Sequence, residues 1–404
     1  MKKIIRCISA VLIIFCMLVM SAVVYGYYTV PDDIYTLDAG DIDVGFYTCS
    51  PPQLQSANQS KTVSAVGEYK VNISLFNKIP IKSSKLTVSD RRYVVPSGDI
   101  IGLRMFTEGV MIVATESVDS RKGSINPSRS ARLQVGDVIK AINGVEIEGS
   151  SQVDAIVSAS EGKTLRITYS RESSTFTTSI TPVYSESEKR YKTGLWIRDS
   201  AAGIGTMTFY EKNTGFFACL GHAVCDIDTG VVLPLSNGDI VDASISGCVR
   251  GKAGAAGELC GSFKNQSLGT VFLNNNFGVF GYLDSTDISP QAIPVALKSE
   301  IKTGSAQIIA TVENETKAYY DIEIEKLNPD DKDGKNMIIR IKDSKLIEKT
   351  GGIVQGMSGS PIIQDGRLVG AVTHVFLNDP TRGYGILAET MLKGAYEAEI
   401  KQAG

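Results

Sequence analysis

Short segments in which apolar and polar residues alternate recur along the C-terminal half of the chain, and this pattern constrains the fold more than any other feature. From residue 192 onward, these segments are bounded by Gly, Asn, Asp or Pro. An alternation with a period of two is typical of a strand that buries one face, and many short strands separated by turns are typical of a barrel or sandwich. The last segment, residues 389–402, carries apolar side chains at helical spacing. The sequence therefore predicts a mainly β domain over residues 185–404 that ends in a helix.

Length, composition and charge limit the classes of protein to which the chain can belong. Its 404 residues allow two or three domains, since a domain usually has about 100–200 residues. Apolar residues make up 43% of the chain, which is typical of a globular protein. Forty-one basic and 44 acidic residues give a net charge of −3, so the chain has no broad positive field to bind a phosphate backbone. We therefore expect no nucleic acid among its partners.

An almost purely apolar run, Cys7–Tyr25, follows three basic residues at the N-terminus. The run is just long enough to cross a bilayer as one helix, and the positive-inside rule keeps its basic end in the cytoplasm. Residues 1–28 are therefore predicted to be a transmembrane anchor, with the rest of the chain extracytoplasmic. A cleaved signal peptide is the alternative, and it exports the chain as well. Residues 29–67 are interpreted as a stalk.

Seven cysteines occur in the chain, and two of them, Cys7 and Cys16, lie within the apolar run. The other five are Cys49, Cys219, Cys225, Cys248 and Cys260. Their spacing lacks the paired C-x-x-C knuckles of structural zinc sites. We therefore predict no metal and no cofactor, and we interpret these cysteines as small buried residues with at most one disulfide.

Residues 96–184 show the pattern of a small mixed domain, preceded by alternating segments at 68–95 that predict a small β subdomain. The pair Asn143-Gly144 between two apolar runs predicts a tight hairpin, and a helical stripe and a closing strand follow it. This order of elements resembles a PDZ domain, which binds peptides by adding a strand to a sheet edge and holding a carboxylate in backbone amides. The resemblance implies a peptide-binding loop formed by Pro96, Ser97, Gly98, Asp99, Ile100 and Ile101.

The segment Gly356–Pro361 places Ser358 between glycines. Glycines allow a sharp turn, and such a turn lets the backbone N–H groups of Gly356 and Ser358 point at one developing oxyanion. Acyl transfer is the chemistry that needs this arrangement. Ser358 is therefore the predicted nucleophile, and it requires an imidazole base and a carboxylate that orients the imidazole.

The chain has only two histidines, His222 and His374, so the base must be one of them. His222 follows the apolar segment Phe216–Leu220 and a glycine, which predicts a position at the rim of a barrel, where a cleft can form. His374 lies inside an apolar strand. His222 is therefore the predicted general base, and His374 is interpreted as a wall of the substrate groove or a core residue.

The parity of one strand predicts the orienting carboxylate. In the segment Met337–Asp343 the odd positions up to 341 are apolar while 340 and 342 are cationic, so the odd face is buried and Asp343 continues it inward. A carboxylate at the end of a buried face needs a partner. Asp343 is the first candidate, and Asp226, close to His222 in sequence, is the second.

Gly356–Pro361 is similar to the Gly-x-Ser-Gly-Gly-Pro signature of chymotrypsin-like serine peptidases, and the order His222, Asp343, Ser358 matches their order of roles. This resemblance implies a double β-barrel and, by analogy, a substrate groove that includes Thr373, His374 and Val375. Met357 stands where digestive members have an acidic residue, so activation here cannot use their salt bridge to a new N-terminus.

The anchor, the PDZ-like unit and the segments Leu220–Ala223 and Thr350–Pro361 together resemble the stage IV sporulation protein B (SpoIVB) peptidases of endospore-forming bacteria. The resemblance implies a signalling protease in the forespore membrane that faces the space between the forespore and the mother cell. It also implies that the protease cleaves itself, and this cleavage can release it from the membrane. Its implied target is the inhibitory subunit of a membrane protease complex that activates the mother-cell sigma factor. A catalytically inactive, membrane-anchored PDZ adaptor is the alternative.

Overall fold

A computed structural model of the chain describes residues 2–30, 33–36, 47–50, 67–76, 78–88, 91–172, 174–313 and 316–403. The chain forms two compact units. The first consists of Met1–Arg92 with Leu297–Glu300, and the second of Tyr93–Ala296 with Ile301–Gly404.

The first unit combines an apolar helix with a small sheet. Helix α1 spans Lys2–Thr29, and its part Val11–Thr29 is long and apolar enough to cross a membrane. The strands are β1 Asp33–Thr36, β2 Tyr47–Ser50, β3 Gly67–Leu75 and β4 Ile79–Val88, and a single 3₁₀ turn spans Lys298–Glu300. They pair in the order β1-β4-β3-β2.

Two of these strands lie in the range that the composition predicts to be a stalk. Strand β1 runs parallel to β4, and β2 runs antiparallel to β3. Pairing with longer neighbours, which local composition does not report, makes these short segments strands. The rest of the predicted stalk, from residue 31 on, lies outside the described residues. Within the predicted β subdomain at 68–95, the sheet of the first unit ends at Val88, and the second unit begins at Tyr93.

The second unit holds the remaining strands. Those of its N-terminal part are β5 Tyr93–Pro96, β6 Ile100–Thr115, β7 Val118–Ser120, β8 Gly123–Ile125, β9 Val138–Ile142, β10 Val145–Glu146, β11 Leu165–Arg171, β12 Ser174–Ile180, β13 Val183–Tyr184 and β14 Tyr191–Lys192. Those of its C-terminal part are β15 Leu195–Tyr210, β16 Phe216–Cys219, β17 Leu235–Val249, β18 Glu258–Asn275, β19 Gly278–Leu283, β20 Ile293–Pro294, β21 Gly304–Thr311, β22 Lys317–Leu327, β23 Met337–Ile341, β24 Pro361–Gln364, β25 Arg367–Phe376 and β26 Asp379–Leu387. The helices of the unit are α2 Pro127–Ser130, α3 Ser150–Ala159, α4 Ser344–Thr350 and α5 Ala388–Ala403.

Two closed barrels form the C-terminal part of this unit. In the first barrel the strands pair in the order β6-β17-β18-β19-β16-β15, and β15 pairs back onto β6. In the second they pair in the order β21-β22-β23-β26-β25-β24, and β24 pairs back onto β21. Apolar side chains fill the second barrel, among them the fully buried Ile308, Ile339 and Ile362. The predicted double barrel with a C-terminal helix is confirmed.

The PDZ-like part is a sheet of β12, β11, β9 and the end of β6, packed against α3. Asn143 and Gly144 have φ values of 53° and 84°. Positive φ at both central residues is typical of a type I′ hairpin turn, and Val145 pairs with Ile142 across it, so the predicted hairpin is confirmed. Val153 and Val157 of α3 lie in one core with Ile139 of β9.

Strands β6 and β15 each serve both the PDZ-like part and the first barrel. Each has 16 residues, about 50 Å at roughly 3.3 Å per residue. The first half of β6 pairs with β17, while Val110 and Met111 pair with β9. The start of β15, Leu195–Arg198, pairs with the end of β6. Strand β6 lies before the boundary predicted between residues 184 and 185 and β15 lies after it, and the two strands pair with each other.

Candidate active site

Ser358 lies in a tight loop between α4 and β24, and strand β15 of the other barrel braces this loop. Gly356 and Gly359 adopt φ values of 94° and 98°, a region that side chains rarely adopt. A Cβ at Gly359 would lie 2.0 Å from the carbonyl oxygen of Thr206. The Thr206 amide donates to the Ser358 carbonyl at 3.0 Å, and its hydroxyl donates to the Gly356 carbonyl at 2.7 Å. The loop can therefore approach β15 closely only because glycine occupies position 359.

Two backbone amides of this loop are open. The N–H groups of Gly356 and Ser358 have no acceptor among the described residues, whereas the N–H of Met357, between them, donates to the Val354 carbonyl at 3.1 Å. Buried or half-buried backbone amides are normally paired. The unpaired amides of Gly356 and Ser358 are therefore available to a hydrogen-bond acceptor, as the predicted oxyanion hole requires.

The hydroxyl of Ser358 donates to the carbonyl oxygen of Thr373, on β25, at 2.6 Å. It does not donate to an imidazole in this structure. A turn about the Cα–Cβ bond moves a serine Oγ among three staggered positions, so the described position is one of the rotamers open to the side chain.

His222 follows a sharp turn at the end of β16. Leu220 and Gly221 both have positive φ, 66° and 72°. A Cβ at Gly221 would lie 2.9 Å from Cγ2 of Thr373, the residue whose carbonyl holds the Ser358 hydroxyl. The Gly-His pair thus brings the predicted base to the nucleophile's side of the second barrel.

The ring of His222 is half-buried, and its Nδ1 lies 2.8 Å from the carbonyl oxygen of Ala223. A carbonyl only accepts, so this contact selects the neutral tautomer that carries its proton on Nδ1 and leaves the Nε2 lone pair free. Burial lowers the pKa of His222 from its ordinary value, and the hydrogen bond to Ala223 opposes this shift. His222 is therefore a neutral imidazole at neutral pH with an open acceptor nitrogen.

The residues predicted to line the substrate groove lie on β25, and two of them contact Ser358 or His222. The carbonyl of Thr373 accepts from the Ser358 hydroxyl. His374 places its ring centroid 4.8 Å from that of His222. Desolvation of the ring, the neighbouring His222 and Lys335 lower the pKa of His374 to about 4. Thr373 is buried, and its hydroxyl has no hydrogen-bond partner among the described residues. Val375 packs at the edge of the second barrel's core.

Neither candidate carboxylate contacts His222 in this structure. Asp343 is the N-cap of α4, where its side chain accepts from the Leu346 amide at 2.9 Å. The side chain of Asp226 is fully buried, pairs with Arg198 and accepts from the Thr229 amide at 2.9 Å. In the described part of the chain, no carboxylate forms a hydrogen bond or ion pair with His222.

The inward orientation predicted for Asp343 from strand parity is wrong. The odd residues Met337, Ile339 and Ile341 are buried as expected. Strand β23 ends at Ile341, however, and the chain turns into α4. Aspartate is among the preferred residues at a helix N-cap. Asp343 therefore caps α4 and does not continue the alternating pattern of β23. In addition, β26 lies between β23 and β25.

The predicted peptide-binding loop, Pro96–Ile101, is closed. The amides of Ser97 and Gly98 donate to the carbonyls of Thr208 and Met207, each at 2.9 Å, and the Asp99 amide donates to the Ser97 hydroxyl at 3.2 Å. Ile100 and Ile101 are buried at the start of β6, which pairs with β15 on one edge and β17 on the other. The prediction of a carboxylate clasp here is corrected, because neither a free amide nor a free strand edge is left.

The described thiols are free. These are Cys16, Cys219, Cys225, Cys248 and Cys260. Burial raises the pKa of Cys219 and of Cys225, so both are protonated at neutral pH and are weak nucleophiles. The side chains of Cys7 and Cys49 lie outside the described residues.

Sequence reasoning missed two structural residues of β15. Thr206 braces the Ser358 loop through two hydrogen bonds. Asp199 lies in the PDZ-like part, where it accepts from the amide of Ser150 at 2.8 Å and so caps α3. Both act on partners far away in the chain, and a threonine or aspartate in an alternating strand carries no local signal of such a role.

Comparison with curated proteins finds a relative in Lactococcus lactis subsp. lactis, LL2128, whose name describes a zinc metalloprotease. It is 29% identical over 123 residues, which cover 30% of this chain and 26% of that protein. The chain thus spans about a quarter of the length of this relative.

Among solved structures, the chain is similar to the PDZ domain of the SdrC-like protein from Listeria monocytogenes, with 20% identity, 22% of this chain and 87% of that chain covered, and a TM-score of 0.19. It is also similar to the Rv3671c protease of M. tuberculosis in its active form, with 15% identity, 48% and 72% covered, and a TM-score of 0.29.

Two family models match the chain. The model described as PDZ domain matches residues 101–181, and the model described as SpoIVB peptidase S55 matches residues 189–392, slightly more than half of the chain. The chain therefore belongs to the SpoIVB peptidase S55 family, a family of serine peptidases, and carries a PDZ domain.

Proposed function

We propose that the chain is a membrane-tethered serine endopeptidase with Ser358 as nucleophile, His222 as general base and the amides of Gly356 and Ser358 as the oxyanion hole. The observation that supports this proposal is the pair of unpaired amides in the Ser358 loop, those of Gly356 and Ser358, together with the turn at Gly221 that brings His222 close to Thr373. The groove residues Thr373, His374 and Val375 line the place where a peptide substrate would lie.

The chemistry follows from these roles. His222 Nε2 takes the proton of the Ser358 hydroxyl while Oγ attacks the carbonyl carbon of the scissile peptide bond. The two amides stabilise the negative oxygen that forms. The protonated imidazole then gives its proton to the leaving amine, and a water molecule, deprotonated by the same imidazole, hydrolyses the acyl-enzyme. In the described conformation the Ala223 carbonyl occupies Nδ1, the nitrogen that an orienting carboxylate would engage.

The described conformation fits a resting state of such an enzyme, because each group of the predicted triad has another partner. Ser358 donates to Thr373, His222 contacts Ala223, and Asp343 caps α4. We propose that Asp343 joins His222 only after the first turn of α4 opens. That movement would need to carry the carboxylate past β26, and it would make alignment of the triad a step separate from folding.

Labelling with a fluorophosphonate probe tests the nucleophile. The probe reacts with an activated serine and forms an Oγ–P bond as fluoride leaves. We expect the full chain in detergent to be labelled and the Ser358→Ala variant not to be. Ser360→Ala is the matched control, since Ser360 lies in the same loop and its buried hydroxyl has no partner among the described residues, so its removal should be neutral. Equal labelling of wild type and Ser358→Ala would refute the assignment.

Substitution of Asp343 separates a catalytic from a structural role. Asn caps helices about as well as Asp, so Asp343→Asn should unfold at the wild-type temperature. We expect it nevertheless to lower the labelling rate by up to about 10⁴-fold, the loss seen when a triad carboxylate becomes an amide. Asp343→Ala should in addition lose about 1 kcal/mol of stability. A wild-type labelling rate in Asp343→Asn would leave Asp343 as a helix cap only.

We further propose, from membership in the family, that α1 tethers the chain to the forespore membrane with the catalytic unit in the intermembrane space. There the chain would cleave itself and the inhibitory subunit of a membrane protease complex, and so trigger activation of the mother-cell sigma factor. In a sporulating host without its own copy, the wild-type chain should shorten and restore sigma-factor activity. Ser358→Ala should do neither, and restored activity with that variant would contradict the proposal.

An inactive PDZ adaptor is the second candidate, favoured by the fact that Ser358 donates to a carbonyl and not to His222. It predicts no labelling of the wild-type chain under any condition, together with sigma-factor activation by Ser358→Ala.

A further inference from the structure

The two histidines of this chain, His222 and His374, face each other. They are 152 positions apart in the sequence of 404 residues and come from different barrels, yet their ring centroids lie 4.8 Å apart with the ring planes inclined by 40°. No hydrogen bond joins the two rings in the described structure, so this contact by itself does not bind them to each other.

The spacing of the rings fits two imidazoles that share one metal ion. Zinc binds imidazole nitrogen at about 2.0–2.1 Å in tetrahedral geometry, which puts the centroids of two ligand rings about 5 Å apart. The observed 4.8 Å is close to this value. His222 already has its Nδ1 on the Ala223 carbonyl, and a second-shell carbonyl at one nitrogen is the usual arrangement when the other nitrogen binds a metal.

The exposure of the pair also suits a metal ion. His374 is exposed, so an ion can enter from solvent. Lys335 lies near His374, and its positive charge opposes a cation. Cys225 is close as well, but its thiol donates to the Ala223 carbonyl, with Sγ 3.9 Å from that oxygen.

We propose that His222 and His374 together bind a divalent transition-metal ion, with zinc as the representative, and that the bound ion switches the peptidase off reversibly. In the described part of the chain, no group of three or more His, Cys, Asp and Glu side chains is placed to hold a metal. Two protein ligands therefore hold the ion, and water completes the coordination. A metal on Nε2 of His222 occupies the lone pair that must accept the Ser358 proton. The binding rests on the geometry alone, and the inhibition rests on the proposed function.

Titration calorimetry with zinc chloride tests the binding without any activity. The full chain in detergent carries Ser358→Ala so that it stays intact, and we expect one zinc per chain. Adding His374→Gln should weaken binding at least about ten-fold, because one of two protein ligands is lost. Cys225→Ser should bind as the parent does, and Lys335→Gln should bind at least as tightly. Magnesium, which prefers oxygen ligands, should not bind. Unchanged affinity in His374→Gln, or lost affinity in Cys225→Ser, would overturn the site.

Fluorophosphonate labelling tests the inhibition. Zinc should suppress labelling of the wild-type chain, and a chelator should restore it. The zinc concentration for half-suppression should rise about ten-fold or more in His374→Gln, compared with the metal-free rate of that same variant. Zinc that binds but leaves labelling unchanged would overturn the switch. A chain that is never labelled, with or without zinc, would instead contradict the proposed function, while calorimetry still decides the site.

Discussion

Two loops of this chain look alike in sequence, and the structure gives them opposite properties. Pro96–Ile101 and Gly356–Pro361 each place glycine beside a serine, and each is predicted to present backbone amides to a negative oxygen. In the first loop the amides of Ser97 and Gly98 are bonded to β15 carbonyls. In the second, the amides of Gly356 and Ser358 are open, and it is their carbonyls that β15 holds. The two loops therefore differ in whether their backbone amides are left free for a ligand.

The same strand makes this difference. Thr206 of β15 donates to the Ser358 loop, while the carbonyls of Met207 and Thr208 accept from the other loop, whose Asp99 carbonyl also accepts from the Met207 amide. Strand β15 also continues into the edge of the PDZ-like sheet at Leu195–Arg198. The PDZ-like part and the Ser358 loop are therefore both hydrogen-bonded to the same strand, β15.

Alanine substitutions at Gly356 and Gly98 should show the difference between the two loops most clearly. Gly356→Ala places a side chain at φ 94°, which costs about 1–2 kcal/mol and displaces an oxyanion amide. We expect its labelling rate to fall about 10²–10³-fold, the cost of one lost oxyanion donor. Gly98→Ala, at φ 81° with its Cβ 2.6 Å from Ile309, should lower the melting temperature.

The folded fraction of Gly98→Ala should be labelled at the wild-type rate. A large loss of rate in this variant, or none in Gly356→Ala, would mean that the roles of the two loops are assigned the wrong way round.

Two buried threonines on β15 test whether the bracing of the Ser358 loop matters for activity. Thr206→Val removes the hydroxyl that holds the Gly356 carbonyl, and we expect about a ten-fold lower labelling rate, because small displacements of a catalytic loop cost up to about 10²-fold. Thr208→Val removes a buried hydroxyl that has no partner among the described residues, so stability and rate should change little. Equal rates in the two variants would show that the brace is unimportant.

The pH dependence gives the smallest effect. His222 must be neutral to accept a proton, and burial lowers its pKa. The labelling rate should therefore persist below pH ~6.5, the ordinary histidine value, and fall as the pH drops through the lowered pKa. Stability should also fall in this acid window, since the unfolded chain binds protons there that the folded chain does not. With a chelator present, a half-maximal rate at or above pH 6.5 would contradict the burial of the base.

Local sequence patterns predicted much of this fold. The apolar helix, the Asn143-Gly144 hairpin, the double barrel and the Gly-x-Ser loop each follow from period, turn chemistry or motif. One of the two errors depends on a distant strand and the other on a local role. The loop Pro96–Ile101 is closed because β15 lies beside it, and this pairing cannot be identified from the residues of the loop. Asp343 caps α4 because its strand ends two residues earlier, at Ile341.

The most direct measurement is a crystal structure of the phosphonylated chain. The adduct mimics the tetrahedral intermediate on Ser358. We predict its phosphonyl oxygen about 2.7–3.1 Å from the amides of Gly356 and Ser358, with Nε2 of His222 turned toward Oγ. An adduct oxygen that points to solvent, with both amides still unpaired, would contradict the assignment of these amides as the oxyanion hole.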